Sequence, residues 1–543
     1  MRHRTARSAP EGGHDAPPEP IEPQGKNDDR PNHGASAWVS HANKGREEHH
    51  RVVIIGSGLG GSITAFRLAE AGIRNVVLER GRRWPITPTG NTFPRLPSLD
   101  RHLVWLGQDS SPFPPTGVPL LSCVYRAIAT ALPRSTGLLE VLPQKNVVIM
   151  CGAGVGGSTL VYGGVLAQPA PGPFHHLFPA EIDYGELDRI YYPRARRRLI
   201  AAPFPEDLLA HDQYRSNRLW HLAAQESGLP AEQVMGNYDF DVIRAELNGD
   251  RKPAATVGQY HFTGCNSGAK MSVDRTYLAR AEATGKTVVR PLHMATGITQ
   301  DSQGRYRVCV TQLTRSGAVR ERLVLICDKL VLAAGVQSPR MLVTARDTGA
   351  LPRLLDSVGA QWGTNGDQLL LLQTAPQPTC APQGGPPAVL LRNREGTASV
   401  MHAPLPVPSG AGLLACIGMG ISDHFGRWAY SAKAANTRLE WSAGNDITAR
   451  HAVGDLVREV ARHFPSGAIV IPPVPGYSVT AHPVGGVVLG KATDAYGRLH
   501  GYSGLYCLDG ALMPGSTAAV NPALTIAAIV ERCLDEIVQD FIT

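Results

Sequence analysis

The residues Gly56-Ser57-Gly58-Leu59-Gly60-Gly61, with Glu79 lying 18 residues past Gly61, have the types and spacing of a dinucleotide site. The chemistry is recognition of phosphate and ribose. Gly56 permits a tight turn, Gly58 lets backbone approach a pyrophosphate, and Gly61 lets a helix pack close to a strand. The N-terminus of that helix faces phosphate charge, and a carboxylate at Glu79 can accept both hydroxyls of a ribose. A second run, Gly152-Ala153-Gly154-Val155-Gly156-Gly157-Ser158-Thr159-Leu160-Val161-Tyr162-Gly163-Gly164, is dense in glycine. Such density predicts backbone lying against something flat or charged. Neither run by itself separates FAD from NAD.

The elements that must hold these turns are legible around them. Val52-Val53-Ile54-Ile55 is a β-branched strand run, and order is expected to begin at Arg51. Ile63, Phe66, Leu68 and Ala69 mark one side of a helix closing at Gly72, and Asn75-Val76-Val77-Leu78 is a second strand ending in Glu79. Val147-Val148-Ile149-Met150 leads into the second glycine run. Lys329-Leu330-Val331-Leu332-Ala333-Ala334-Gly335 is a buried strand ending in small residues. Val308-Cys309-Val310 and Val324-Leu325-Ile326 before it predict a small antiparallel sheet beside a Rossmann core.

Composition narrows the class. A chain of 543 residues invites two domains or a discontinuous pair. Hydrophobic residues at 43% and charged residues at 18% suit an ordinary globular protein. No apolar run approaches the roughly 18–20 residues that span a bilayer. The net charge of +7 is spread along the chain, and its densest cluster, Arg194, Arg196, Arg197 and Arg198, reads as a solvated helix face. Nucleic-acid binding would want basic residues interleaved with exposed aromatics. The nine cysteines are scattered without a C-x-x-C pair, which suits buried free thiols in a reducing compartment and argues against a zinc site. The first fifty residues lack an apolar signal core and read as a disordered tail; neither they nor the Met1-Arg2-His3-Arg4 start read as a secretion signal. A cytoplasmic location is the expectation.

The last eighty residues carry the most information. They contain Thr480-Ala481-His482-Pro483-Val484-Gly485-Gly486, Leu505-Tyr506-Cys507-Leu508-Asp509-Gly510, and Val520-Asn521-Pro522-Ala523-Leu524-Thr525-Ile526 opening a final amphipathic helix. On these motifs the chain resembles the glucose–methanol–choline (GMC) oxidoreductases, closest to the cholesterol-oxidase branch, whose signatures are H-P-x-G-G, a terminal D-G strand and V-N-P-x-x-T-I. The likeness extends backward through Gly490-Lys491-Ala492-Thr493-Asp494, Ala345-Arg346-Asp347-Thr348-Gly349 and Asp274-Arg275-Thr276-Tyr277-Leu278-Ala279. It therefore covers most of the chain from Arg51 onward and implies non-covalently bound FAD.

The resemblance also implies roles. His482 matches the family histidine that accepts the substrate hydroxyl proton, and imidazole titrates near working pH. Asn521 matches the asparagine that contacts flavin and substrate oxygen, although Asn before Pro is also an ideal helix cap. Asp509 and Gly510 would bring the last strand against the ribityl chain and pyrophosphate, unless Asp509 is only a solvated turn carboxylate. Gly154, Gly157, Ser158, Tyr162, Gly163 and Gly164 are the remaining cofactor-facing candidates. Two departures stand out. The family places an isomerisation glutamate at the start of E-x-A-P-x-P, where this chain reads Met401-His402-Ala403-Pro404-Leu405-Pro406. It places V-N-G-G beside the flavin, where this chain has Val161-Tyr162-Gly163-Gly164. Met401, His402 and Tyr162 are thus expected at the substrate pocket, with His402 pointing elsewhere if the segment is extended.

The fold class expected is α/β: a Rossmann-type FAD-binding domain (51–90, 145–170, 262–350 and 498–543) with a discontinuous mixed-sheet substrate domain of α+β type (91–144, 171–261 and 351–497). Residues 367–421, apolar with few charges, would wall an enclosed cavity. The leading function is FAD-dependent oxidation of a secondary hydroxyl on a bulky apolar molecule, sterol-like or polyketide-like, without coupled isomerisation and with molecular oxygen as electron acceptor. A flavoprotein scaffold for a redox-neutral cyclisation, such as a [4+2] cycloaddition in natural-product biosynthesis, is the rival. A non-catalytic lipid-binding flavoprotein is the third reading. No nucleic-acid partner, metal or transmembrane segment is expected.

Overall fold

The structure is a computed structural model that describes residues 46–94, 102–105, 135–251, 261–471 and 477–542. Its larger sheet has seven strands. Strands Thr287–Pro291, Asn75–Glu79, Arg46–Ile55, Val319–Leu332 and Leu505–Cys507 run parallel, each paired to its neighbour. Val319–Leu332 also pairs antiparallel with Tyr306–Leu313, which pairs with His293–Gln300, giving the antiparallel extension expected from the sequence. The first helix, Leu59–Glu70, and the last, Ala523–Ile537, pack beside each other over this sheet. Their buried Ile63, Leu68, Ala528 and Ile529 join Val52–Ile55 and Leu330–Leu332 in one core. Such near-continuous apolar strands are what a parallel sheet covered by helices requires.

The first strand begins at Arg46, five residues before the start expected, so the tail does not reach Arg51. The added residues Arg46-Glu47-Glu48-His49-His50 are polar and mostly exposed because they extend beyond the helical cover. Ion pairs hold them instead: Glu48 with Arg290 at 2.6 Å and Glu47 with Arg307 at 2.6 Å. Apolar patterning, which marked Val52–Ile55, carries no signal for such a segment.

A second sheet of six strands runs Ile469–Ile471, Gln368–Gln373, Leu413–Gly420, Ala398–Ala403, Val389–Arg392 and Ala231–Gln233. A mixed sheet was expected here; this one is antiparallel at each pairing, because Val389–Arg392, Ala398–Ala403 and Leu413–Gly420 follow one another as a meander. Helices Arg215–Ser227 and Ile447–Ala461 cover one face, burying Leu370, Leu372, Val400 and Cys416. The other face turns away from them.

The arginine cluster is only partly a solvated face: Arg197 is exposed, while Arg194 and Arg198 pair with acids of the last helix. Arg198 and Arg67 bond the fully buried Glu531 of the last helix at 2.9 and 2.6 Å, and Tyr277 donates to it at 2.8 Å. Arg194 pairs with Asp535 at 2.8 Å. The cluster thus staples the short helix Tyr192–Arg198 to the last helix. Among the described residues no helix is long and apolar enough to cross a membrane, no cluster could hold a metal ion, and the cysteines are free thiols, most of them buried.

Candidate active site

Both glycine runs meet. Ser57 Oγ donates to Glu79 at 2.7 Å and accepts from the Gly156 N–H at 3.1 Å, bridging the first turn to the second. A Cβ on Gly157 would stand 2.7 Å from Gly58 Cα, so the loops touch where each lacks a side chain. The first helix starts at Leu59 with Gly58 as its cap and no side-chain cap bond, leaving its first N–H groups to face a cleft. Glu79 is 5% exposed and also accepts from the Ser57 and Gly81 N–H groups at 3.2 and 2.8 Å. A carboxylate has about four acceptor positions, so with three filled about one remains, enough for one ribose hydroxyl and not for both. Not every glycine of the second run serves the cleft: Gly154 is required because a Cβ would meet the Trp84 ring at 2.6 Å. Gly61, likewise, is packed against Gly56 oxygen.

The cleft opens into a cavity of about 720 Å³. Gly56, Gly58, Gly60, Glu79, Gly157 and Ser158 line one part of it, and Tyr162, Gly163, Gly164, His482, Asp509, Gly510 and Asn521 line another. Gly61, Gly154, Met401 and His402 do not.

Asp509 is no solvated turn carboxylate. It is 4% exposed, accepts from Ser338 Oγ at 2.6 Å and Gly335 N–H at 2.8 Å, and caps Ala511 at 2.8 Å. Burial raises its pKa against these hydrogen bonds. It ties the end of strand Leu505–Cys507 to the turn after Val319–Leu332.

Asn521 does not cap the last helix. That helix begins at Ala523 with Pro522 at the cap position, and no side-chain cap bond forms. Asn521 Oδ1 is instead buried without a partner, at the cavity. An orphaned buried amide oxygen is costly and marks a place where a ligand is expected. Two left-handed alanines, Ala518 (φ 61°) and Ala519 (φ 60°), precede it. They are held by Asn365 Nδ2 donating to Val520 oxygen at 2.8 Å, Thr517 N–H donating to Asn365 Oδ1 at 2.8 Å, and Ser399 Oγ donating to Ala519 oxygen at 2.6 Å.

His482 keeps 18% of its side chain accessible. Its Nδ1 lies 2.8 Å from Asp367 Oδ1, while Asp367 Oδ2 accepts from Thr480 Oγ1, Ala481 N–H and His482 N–H at 2.9, 3.0 and 3.2 Å. Burial lowers the imidazole pKa, but the charge and hydrogen bond of Asp367 outweigh it and raise the value above 6.5. The glycine pair that follows is needed for chain approach: a Cβ on Gly485 would stand 2.2 Å from Gln361 oxygen. Asp367 and Asn365 escaped the reading of the sequence. The signal available was a lone acid after Asn365-Gly366, heading an otherwise apolar segment.

Tyr162 is half-buried at the cavity, and its hydroxyl accepts from Asn237 Nδ2. Desolvation raises its pKa, so it remains a neutral phenol. Met401 and His402 sit in one extended strand, Ala398–Ala403, and so point to opposite faces. Met401 packs with Val165, Leu390, Met419 and Val520. His402, expected at the pocket, is on the helix-covered side, fully buried with both ring nitrogens unpartnered and its pKa pushed down to about 3 by burial.

A flavin nucleotide fits these residues: a glycine cradle at an uncapped helix N-terminus, an acid at the second strand, and an orphaned amide at the far end. The fold and cleft define an FAD-binding protein. Comparisons with known proteins agree. Residues 49–94 match an FAD binding domain, and residues 475–529 match the GMC oxidoreductase family. A cholesterol oxidase of Mycobacterium tuberculosis is 28% identical over 89% of this chain and 90% of its own. One from Acinetobacter baumannii is 22% identical over 89% and 94%. Among solved structures, pyridoxine 4-oxidase from Mesorbium loti superposes with a TM-score of 0.60 at 16% identity, covering 90% of this chain and 99% of that one. A formate oxidase gives 0.57 at 12% identity, covering 90% and 98%. The chain is a flavin-dependent oxidoreductase by these matches, and it resembles the GMC oxidoreductases, the cholesterol oxidases among them, over most of its length.

Proposed function

We propose that the chain oxidises a secondary hydroxyl of a bulky apolar alcohol at the junction of His482 and Asn521. The observation that carries this reading is a row of apolar side chains on the face of the six-stranded sheet opposite helices Arg215–Ser227 and Ile447–Ala461. Leu390, Met401, Ile417 and Leu369 lie directly across from one another on adjacent strands. At one end the row packs on Val520, the residue before Asn521, and on Val165, the residue after Gly164. At the other end Leu369 is 54% exposed, beside Ile471 at 41% and Ile469 at 70%. Leu390 and Met401 are buried at 0% and 3% and stand behind the cavity lining, so the row backs the site with apolar core and opens only at Leu369. An apolar wall in this position favours a substrate with a large hydrocarbon body.

FAD, when bound, supplies the hydride acceptor. His482 Nε2, which no described residue engages, would take the hydroxyl proton as the carbinol hydrogen leaves with its electron pair, giving a ketone. Asn521 would hold the alcohol oxygen through the same interval. Gly56, Gly58, Gly60, Glu79, Gly157 and Ser158 would bind the adenosine and pyrophosphate, and Tyr162, Gly163, Gly164, Asp509 and Gly510 the flavin end. The domain division at 51–90, 145–170, 262–350 and 498–543 against 91–144, 171–261 and 351–497, molecular oxygen as oxidant and a cytoplasmic location complete the reading. The free thiols support that location. Met401 supports oxidation without isomerisation, since a thioether cannot carry a proton between carbons.

The test is to add hydroxysterols and smaller secondary alcohols anaerobically and follow flavin absorbance. Bleaching with a product two hydrogens lighter is expected for the larger alcohols. No bleaching with any of them, together with a product of unchanged mass from a polyene, would move the reading to the redox-neutral cyclisation.

A further inference from the structure

We propose that Asp367 is a positioning residue for His482, fixing the ring with its Nδ1 hydrogen toward the carboxylate and its Nε2 toward the cavity. The inference rests on His482 being the proton acceptor proposed above and says what aims it and sets its basicity. Four donors converge on Asp367: Thr480 Oγ1, two backbone N–H groups and His482 Nδ1. Such an arrangement suits an ionised carboxylate, which only accepts, so Nδ1 must carry a hydrogen. The remaining nitrogen of the ring is then the one able to accept, and it belongs to a side chain that lines the cavity.

Asp367 does not touch the reacting atoms. It is 8% exposed and lies outside the cavity lining, so it can neither take the substrate proton nor stand in for the glutamate replaced by Met401. It acts through His482. One short segment supplies both supports of the site: Asp367 holds Thr480 and His482, while Asn365 holds the turn before Asn521. The hydroxyl-binding pair is thereby fixed from one loop.

Three consequences follow from the geometry. The neutral ring is held in the tautomer whose Nε2 lone pair is free, so no reorientation is needed before proton transfer. The imidazolium formed on accepting the proton is stabilised by the adjacent carboxylate. The protonated form is also favoured at rest, because Asp367 is the charged group that shifts this ring and it outweighs burial. Alcohol oxidation then requires loss of that proton first, and the flavin-reduction rate rises with pH through a midpoint above 6.5.

The experiment uses the FAD-loaded protein labelled with ¹⁵N-histidine, with His482 identified by the resonance missing from His482→Ala. Long-range ¹H–¹⁵N correlations report both the tautomer and the titration midpoint, without substrate. We expect Nδ1 protonated throughout, a midpoint above 6.5, and a fall of about 1–3 pH units in Asp367→Asn, the range an adjacent opposite charge produces. A wild-type midpoint at or below 6.5, an Nε2–H tautomer, or a midpoint unmoved in Asp367→Asn overturns the proposal. If Asp367→Asn does not fold, the wild-type tautomer and midpoint decide alone. An undiminished flavin-reduction rate in His482→Ala would remove the catalytic reading of the site and leave this titration standing, so the two failures are distinct.

Discussion

Replacing Asn365 by alanine should destabilise the protein by about 2–5 kcal/mol, and the sum can be worked from two lost bonds and one dihedral angle. Asn365 is fully buried. Truncation leaves Thr517 N–H without its acceptor, and an orphaned buried donor costs about 1–3 kcal/mol. Val520 oxygen loses one donor but keeps Thr517 Oγ1 at 2.8 Å, so its loss is small. Asn365 has φ 56°, a left-handed conformation that alanine adopts at a cost of about 1–2 kcal/mol while asparagine tolerates it. Asn365→Gly removes the same bonds without that backbone cost, so it should be less destabilising than the alanine variant by about 1–2 kcal/mol. Equilibrium denaturation of the FAD-loaded variants measures both differences. Because Ala518 and Ala519 are also left-handed, loosening this clamp releases the turn that presents Asn521, and turnover should fall along with stability. An alanine variant within about 0.5 kcal/mol of wild type, the range of an inconsequential surface change, would refute the role given to this loop.

Other outcomes are expected elsewhere. Glu531→Gln leaves Arg67 and Arg198 facing an uncharged buried amide and should cost about 3–5 kcal/mol by denaturation, with flavin content per folded molecule unchanged. Glu79→Ala should weaken FAD retention, measured by flavin lost on gel filtration, because a charge-assisted bond to a ribose disappears. With a 5-ene hydroxysterol that is turned over, peroxide should form without conjugated-enone absorbance; rapid enone formation would show that a residue other than Met401 supplies the isomerisation base. The raised pKa of His482 also has a sign for stability. Its pairing with Asp367 contributes fully below the unfolded imidazole value near 6.5 and is lost as pH rises through the higher folded value. The stability gap between wild type and Asp367→Asn should therefore narrow on the alkaline side of neutrality.

Local rules that agreed with one another made the nucleotide half of the molecule legible. Val52–Ile55, the glycine turn, the amphipathic helix and Glu79 each specify the same unit, and all lie within one stretch of chain. What escaped involved partners distant in sequence. Asp367 meets His482 across 115 residues, and Asn365 meets Thr517 across 152; neither shows periodicity or a motif. Asn521 looked like a cap because Asn-Pro satisfies a local rule, yet the last helix begins one residue later than that rule places it. Arg194 and Arg198 looked solvated because Glu531, their buried partner, is carried by the last helix. Strand alternation, by contrast, did separate Met401 from His402, since an extended segment must send neighbours to opposite faces.

The central claim is that this cleft oxidises an alcohol through His482. The most direct test is stopped-flow flavin reduction, without oxygen, in wild type and His482→Ala with an alcohol that bleaches the wild-type flavin. A rate lower by about 10²–10⁴-fold, with FAD content retained, is predicted for loss of a positioned acid–base group. A rate equal to wild type would contradict the account.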